Sequence, residues 1–110
     1  MGDHRLLYIT VGNIDEARRI ARALVEERIA ACANVIANME SVYWWQGKLA
    51  EDREVVLIAK TRAALVERAI GRVRELHSYS VPCVVALPIL AGNKAFLDWI
   101  DAETAERTRA

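Results

Sequence analysis

The chain has 110 residues, 54% of them hydrophobic, and its formal net charge is zero. That length suits one domain with its own core, and the apolar fraction excludes a disordered chain. Balanced, interleaved charge argues against a nucleic-acid partner, which calls for a basic face.

Taken in chain order, residues 6–11 (LLYITV) form a short apolar run of strand-forming types. The run is too short for a signal core or a membrane span, so no membrane partner is expected. Gly12 and Asn13 break it, and Asn13 with Glu16 three residues later has the spacing of a capping box. Ala17, Ile20, Ala21, Leu24 and Val25 then recur at helical spacing, which predicts an amphipathic helix over 15–28.

Residues 29–45 are rich in Val, Ile, Tyr and Trp and carry no helical stripe. They read as one long strand, bent or bulged near 38–40. Gln46 and Gly47 make the turn. Residues 49–60 return as a second strand, with VVLIA at its buried end and Glu51, Asp52, Arg53 and Glu54 as a polar half that projects into solvent or lies near a subunit boundary.

Thr61 is placed to cap a second helix whose apolar face holds Leu65, Ala69, Val73 and Leu76. His77 and Tyr79 fall in its exit loop. Pro82 opens a fourth strand over 83–89, and Pro88 implies that this strand ends early or lies at an edge. Asn93 caps a short last helix carrying Phe96, Trp99 and Ile100, and 103–110 is read as a polar, fraying tail. His4 is read as part of a mobile N-terminal end.

The order β-α-β-β-α-β-α predicts an α+β fold: a ferredoxin-like βαββαβ sandwich with sheet order 4-1-3-2 and an additional short C-terminal helix. A single domain spans residues 1–110, with its core over about 6–102. The strands LLYITV, VVLIA and CVVALPI are apolar on both faces, whereas two helices cover only one. Self-association through the other face is the expected remedy. Tyr43, Trp44 and Trp45 stand in a row at the hairpin tip in a chain holding only three Trp, three Tyr and one Phe. On a strand Trp44 faces away from Tyr43 and Trp45, so one chain cannot readily bury all three.

Candidate chemistry is sparse. There is no GxSxG, GxGxxG, Walker lysine loop or HExxH, and with His4 and His77 as the only histidines, enzymatic function is not expected. His77 is the foremost metal candidate by side-chain chemistry, and Cys32 and Cys83 are soft donors. Edge strands place the two cysteines far apart within a chain, so they could approach only across a subunit boundary. Their spacing argues against a disulfide scaffold and for a reducing cytoplasm. Lys48, Lys60 and Tyr79, with Trp44 and Trp45, form a candidate intersubunit cleft for a small anion.

The run ERIAACANVIANMESVYWWQGKL at 27–49, with VVLIAKT at 55–61 and HSYSVP at 77–82, resembles the CutA family of divalent-cation tolerance proteins. The resemblance covers residues 6–102. It implies a compact homotrimer similar in architecture to PII signalling proteins, joined through the long hairpin, and a role in tolerance of copper or another divalent cation. For the animal branch it implies acetylcholinesterase anchoring. The resemblance leaves the protein partner unnamed, and a PII-like sensor or a structural scaffold stands as the alternative. Members of this family usually carry Glu just after the Pro of the H-x-Y-x-x-P stretch, where this chain has Cys83. An acidic residue is also common at the position of Ser80, and some members have Cys in the first strand, here Tyr8-Ile9-Thr10. A carboxylate-based or first-strand-Cys metal site is therefore not carried over.

Overall fold

The computed structural model describes residues 3–106. Strand β1 (His4–Val11) leads into helix α1 (Ile14–Glu26). A long hairpin follows, β2 (Cys32–Trp45) and β3 (Lys48–Arg62). A 3-10 turn (Ala63–Leu65), helix α2 (Val66–Leu76), strand β4 (Val84–Pro88) and helix α3 (Lys94–Glu103) complete the chain. The sheet is antiparallel throughout, in the order β2-β3-β1-β4. This is the ferredoxin-like arrangement expected from the element order.

The alternation of β1 and β3 divides the sheet. Leu7, Ile9, Leu57 and Ala59 are fully buried on one face, where they pack with Ala17, Ile20 and Leu24 of α1 and Ala69 and Val73 of α2. Intervening residues make the second face. There Ile36, Val85 and Leu87 remain about half exposed, at 50%, 50% and 46%. Helix α3 covers one end of this second face. Ile100 is fully buried, His4 bonds Asp101 at 3.0 Å, and Arg62 Nε donates to Thr104 Oγ1 at 2.8 Å.

Those last contacts correct three sequence readings. His4 is a buried strand residue rather than part of a mobile end. Glu103 closes α3 and Thr104 is buried beneath it, so the expected tail is anchored at its start. Its residues 107–110 lie outside the described chain. Thr61 does not cap a helix. It belongs to β3, is fully buried, and its hydroxyl donates to the Ile29 carbonyl at 2.6 Å. Helix α2 starts after the 3-10 turn with no side-chain cap. The local pattern allowed a cap at Thr61, but tertiary pairing extended the strand past it.

Other local signals behave as their chemistry dictates. Asn13 accepts from the Glu16 amide at 2.8 Å, and Asn93 from the Ala95 amide at 3.0 Å. The Glu16 carboxylate does not complete the box. It crosses to the Ser78 amide and hydroxyl, both at 3.1 Å. Gln46 (φ 50°) and Gly47 (φ 79°) form the two-residue turn between β2 and β3, whose positive φ angles suit the twist of a hairpin.

One irregularity shapes the hairpin. Ile36 pairs with Val56 but Met39 pairs with Glu54, so β2 carries one extra residue, and Asn38 takes a left-handed φ of 67°. This is the expected bulge. It inverts the alternation, so that Met39, Ser41, Tyr43 and Trp45 face the same side as Ile36.

Gly71 lies on the outer side of α2, and a Cβ there would meet nothing within 4 Å. No close packing demands a glycine at this position. Gly71→Ala should therefore raise stability by about 1 kcal/mol through helix propensity and reduced unfolded-state freedom, measurable as a higher urea midpoint with an unchanged slope.

Candidate functional site

A groove of about 740 Å³ opens between the outer half of the hairpin and the loop that joins α2 to β4. Tyr8, Tyr43, Trp45 and Tyr79 supply aromatic walls, and Glu40, Asp52 and Glu54 supply carboxylates. Cys83 and Met39 also line it, and none of the lining residues is Lys, Arg or His. The bulge in β2 brings Tyr43 and Trp45 to this side and leaves Trp44 on the other.

The loop wall is held by a buried polar network. His77 is buried, with Nε2 2.7 Å from the Thr10 carbonyl and Nδ1 accepting the Tyr79 amide at 3.1 Å. That pattern assigns the proton to Nε2, so both ring nitrogens are engaged. The Glu16 carboxylate stands 3.4 Å from Nδ1 while holding Ser78. Tyr79 Oη donates to Glu54 at 2.9 Å, and the rings of His77 and Tyr79 lie 4.7 Å apart. Gly12 leaves room for this tyrosine: a Cβ on Gly12 would stand 3.0 Å from its hydroxyl.

Both phenols are held protonated. Burial, then the bond to Glu54, pushes the Tyr79 hydroxyl well above its ordinary range. The Tyr43 hydroxyl is raised chiefly because it donates to Asp52.

The residues singled out from the sequence separate into distinct places. Trp45 and Tyr79 share the groove, whereas Trp44, Lys48 and Lys60 do not line it. Lys48 pairs with Trp45 beside the turn, and Lys60 pairs with Cys32 and Leu6. Lys60 lies twelve residue steps along β3 from Lys48, about 40 Å at strand rise. Lys60 instead donates to Asn34 at 2.7 Å and lies 3.8 Å from the Cys32 sulfur. No anion cleft built from both lysines forms within the chain.

Cys32 opens β2 at one sheet edge, and Cys83 precedes β4 at the other. Both are free thiols, on the opposite edges expected of them. His77 is buried rather than exposed in the loop, and both of its ring nitrogens are engaged within the chain. Among the described residues no group of three or more His, Cys, Asp or Glu side chains is placed to hold a metal ion.

Sequence reasoning did not single out Glu54, which it placed in a polar half-strand facing solvent or a subunit boundary. Glu54 is 7% exposed. The available signal was its parity: it falls on the same strand face as Val56 and Ile58, so a carboxylate continues an otherwise apolar stripe.

The family described as "CutA1 divalent ion tolerance protein" matches this chain over residues 5–103. The chain belongs to the CutA1 family. Among CutA1 relatives, the divalent-cation tolerance protein CutA of Thermus thermophilus is 46% identical over 99 residues, covering 90% of this chain and 96% of its own. The Archaeoglobus fulgidus protein of the same name is 44% identical over 103 residues, covering 94% and 99%. The chloroplastic CutA 1 of rice is 43% identical over 101 residues, which is 92% of this chain, but the match spans only 57% of that protein's length.

Solved CutA1 structures agree. The rice protein superposes with a TM-score of 0.92 at 40% identity, covering 96% of this chain and 97% of that one. The Thermus thermophilus protein gives 0.90 at 45% identity, covering 93% and 99%. The fold and the family inferred from the sequence therefore stand.

Proposed function

We propose that this protein acts in divalent-cation tolerance as a cytoplasmic homotrimer without enzymatic activity, and that copper binds directly at sites shared between subunits. The observation that carries the assembly is the second sheet face. Ile36, Val85 and Leu87 lie half exposed across strands β2 and β4, whose outer edges are unpaired. Beyond them Trp44 is 74% exposed and Trp45 48%. A monomer would leave these surfaces wet, and a closed ring covers faces and edges together.

The metal assignment rests on the relatives named for divalent-cation tolerance and on the donors this chain carries. His77 is committed to the backbone, so the soft donors are Cys32 and Cys83. Their opposite edges adjoin only when two copies meet, and thiolates suit copper(I). Two unpaired thiols also support a reducing cytoplasmic location, although relatives include proteins named chloroplastic and periplasmic.

Calorimetric titration with Cu(I), Cu(II) and Zn(II) tests the reading. Saturable binding at micromolar concentration is expected, lost for Cu(I) in a Cys32→Ser/Cys83→Ser variant that keeps its assembled mass. No binding of any of the three metals overturns direct handling. An anion sensor is the weaker alternative, because the groove presents carboxylates and no cationic side chain. A scaffold for other proteins is the reading left if metals and small ligands all fail to bind.

A further inference from the structure

Nδ1 of His77 has two claimants. The Tyr79 amide reaches it at 3.1 Å, and Glu16 Oε2 stands 3.4 Å away. With the ring neutral and its proton on Nε2, donated to the Thr10 carbonyl, Nδ1 is an acceptor. It then serves the amide, but toward Glu16 it presents a lone pair to a second acceptor. The two atoms lack a proton between them.

Burial sharpens that conflict. The His77 side chain is fully buried, and Glu16 is 4% exposed. Ser78 gives the carboxylate two hydrogen bonds, from its amide and its hydroxyl, both to Oε2. Neither brings charge, and a carboxylate removed from water without a cation is unfavourable. Among the described residues His77 is the one basic side chain within ion-pair distance of Glu16. The other titratable groups stand further out. Arg74 and Glu75 are exposed in the last turn of α2, Glu54 of β3 lies behind the Tyr79 hydroxyl, and Cys83 meets Thr10 through its backbone carbonyl.

One proton would reverse the balance. Imidazole is the side chain that ordinarily gains its proton between about pH 8 and pH 5. With a proton on Nδ1 the ring becomes a donor on both sides. Nε2 keeps the Thr10 carbonyl, Nδ1 gains a charge-assisted bond to Glu16, and the Tyr79 amide loses its acceptor. Ser78 stays on the carboxylate, so the chain parts between 78 and 79. The loop then releases Tyr79, whose hydroxyl is its tie to Glu54.

We propose that Glu16, His77 and the Tyr79 amide form a proton-operated latch, closed on Tyr79 when the ring is neutral and opened by acid through the His77–Glu16 ion pair. The latch lies inside one chain and is independent of the assembly and copper sites proposed above.

The test uses the full chain, labelled with nitrogen-15, from about pH 8 to about pH 5. Ring nitrogen shifts of His77 report the proton, and amide hydrogen exchange, corrected for its intrinsic pH dependence, reports the loop. Protection of the Tyr79 amide is expected to fall roughly tenfold or more in step with Nδ1 protonation, while that of Ser78 holds. In Glu16→Gln, Tyr79 protection should no longer change with pH. An His77 ring that stays neutral throughout overturns the proposal, as does a Tyr79 amide that stays protected beside a protonated ring. Equal loss at Ser78 and Tyr79 overturns it too, since that is general loosening. So does a Glu16→Gln variant with the wild-type response. Should that variant fail to fold, the wild-type ring and amide measurements decide alone.

Discussion

Trp44→Ala is expected to loosen the proposed trimer by about 4 kcal/mol per interface, roughly a thousandfold in the dissociation constant. Wild-type protein should scatter with three times the 12.3 kDa chain mass. The variant should fall below that mass as it is diluted through micromolar concentrations. The reasoning is one of area. Trp44 is 74% exposed and pairs across the hairpin with Leu49, itself 58% exposed. Both lie on the strand face opposite Tyr43 and Trp45, and both are largely exposed. A Trp buries about 150–250 Å², and at about 25 cal/mol per Å² its contribution rivals a sizeable part of a domain's net stability. Arg19→Ala, on the outer side of α1, should leave the mass unchanged. A stable wild-type monomer would sink the assembly argument outright. A Trp44→Ala trimer as persistent as wild type would place the indole outside the interface.

The second large effect is on stability. His77→Ala should destabilise the fold by about 3 kcal/mol or more, because the Thr10 carbonyl and the Tyr79 amide lose their buried partner and a cavity remains. Thermal unfolding should shift down by roughly 10 °C or more. His77→Gln offers one donor and one acceptor and should recover part of the loss. Metal titration of the Gln variant provides the contrast. If His77 were a ligand, copper affinity would fall while the melting temperature moved little. A purely structural imidazole gives the reverse.

Much of the fold was legible in the sequence because it is written in short-range chemistry. Asn13 and Asn93 cap the helices they precede, Gln46 and Gly47 turn the hairpin, and apolar parity separates helix-packed Leu7, Ile9 and Leu57 from the uncovered stripe. The misreadings share one cause: they needed knowledge of what lies opposite. Thr61 has the look of a cap, but its hydroxyl meets the Ile29 carbonyl from a distant part of the chain. His4 seemed terminal and loose until Asp101 of α3 closed over it.

The candidate site was less legible. Trp45 and Tyr79 do share a groove, but the lysines expected beside them sit at opposite ends of β3. The groove within one chain is lined by carboxylates, whereas the cleft expected with Lys48 at its rim was one between subunits. Glu54 escaped notice because a run of Glu, Asp, Arg and Glu reads as a wet stretch. Its parity with Val56 and Ile58 was the one cue, and the register confirms that it turns inward beside Tyr79.

The extra residue in β2 has a wider meaning. It makes one strand of 14 residues carry two reading frames. Before Asn38 the even-numbered side chains serve the open sheet face; after it the odd-numbered ones do. The hairpin stem and its tip are thereby uncoupled: the stem answers to the core of its own chain, while the tip is free to specialise. No side chain of 39–45 belongs to the buried core cluster, so the indoles and the phenol of the tip lie outside it. A lone left-handed asparagine thus acts as a phase shift in the code, and it lets one chain present unlike chemistries on the two sides of the same arm.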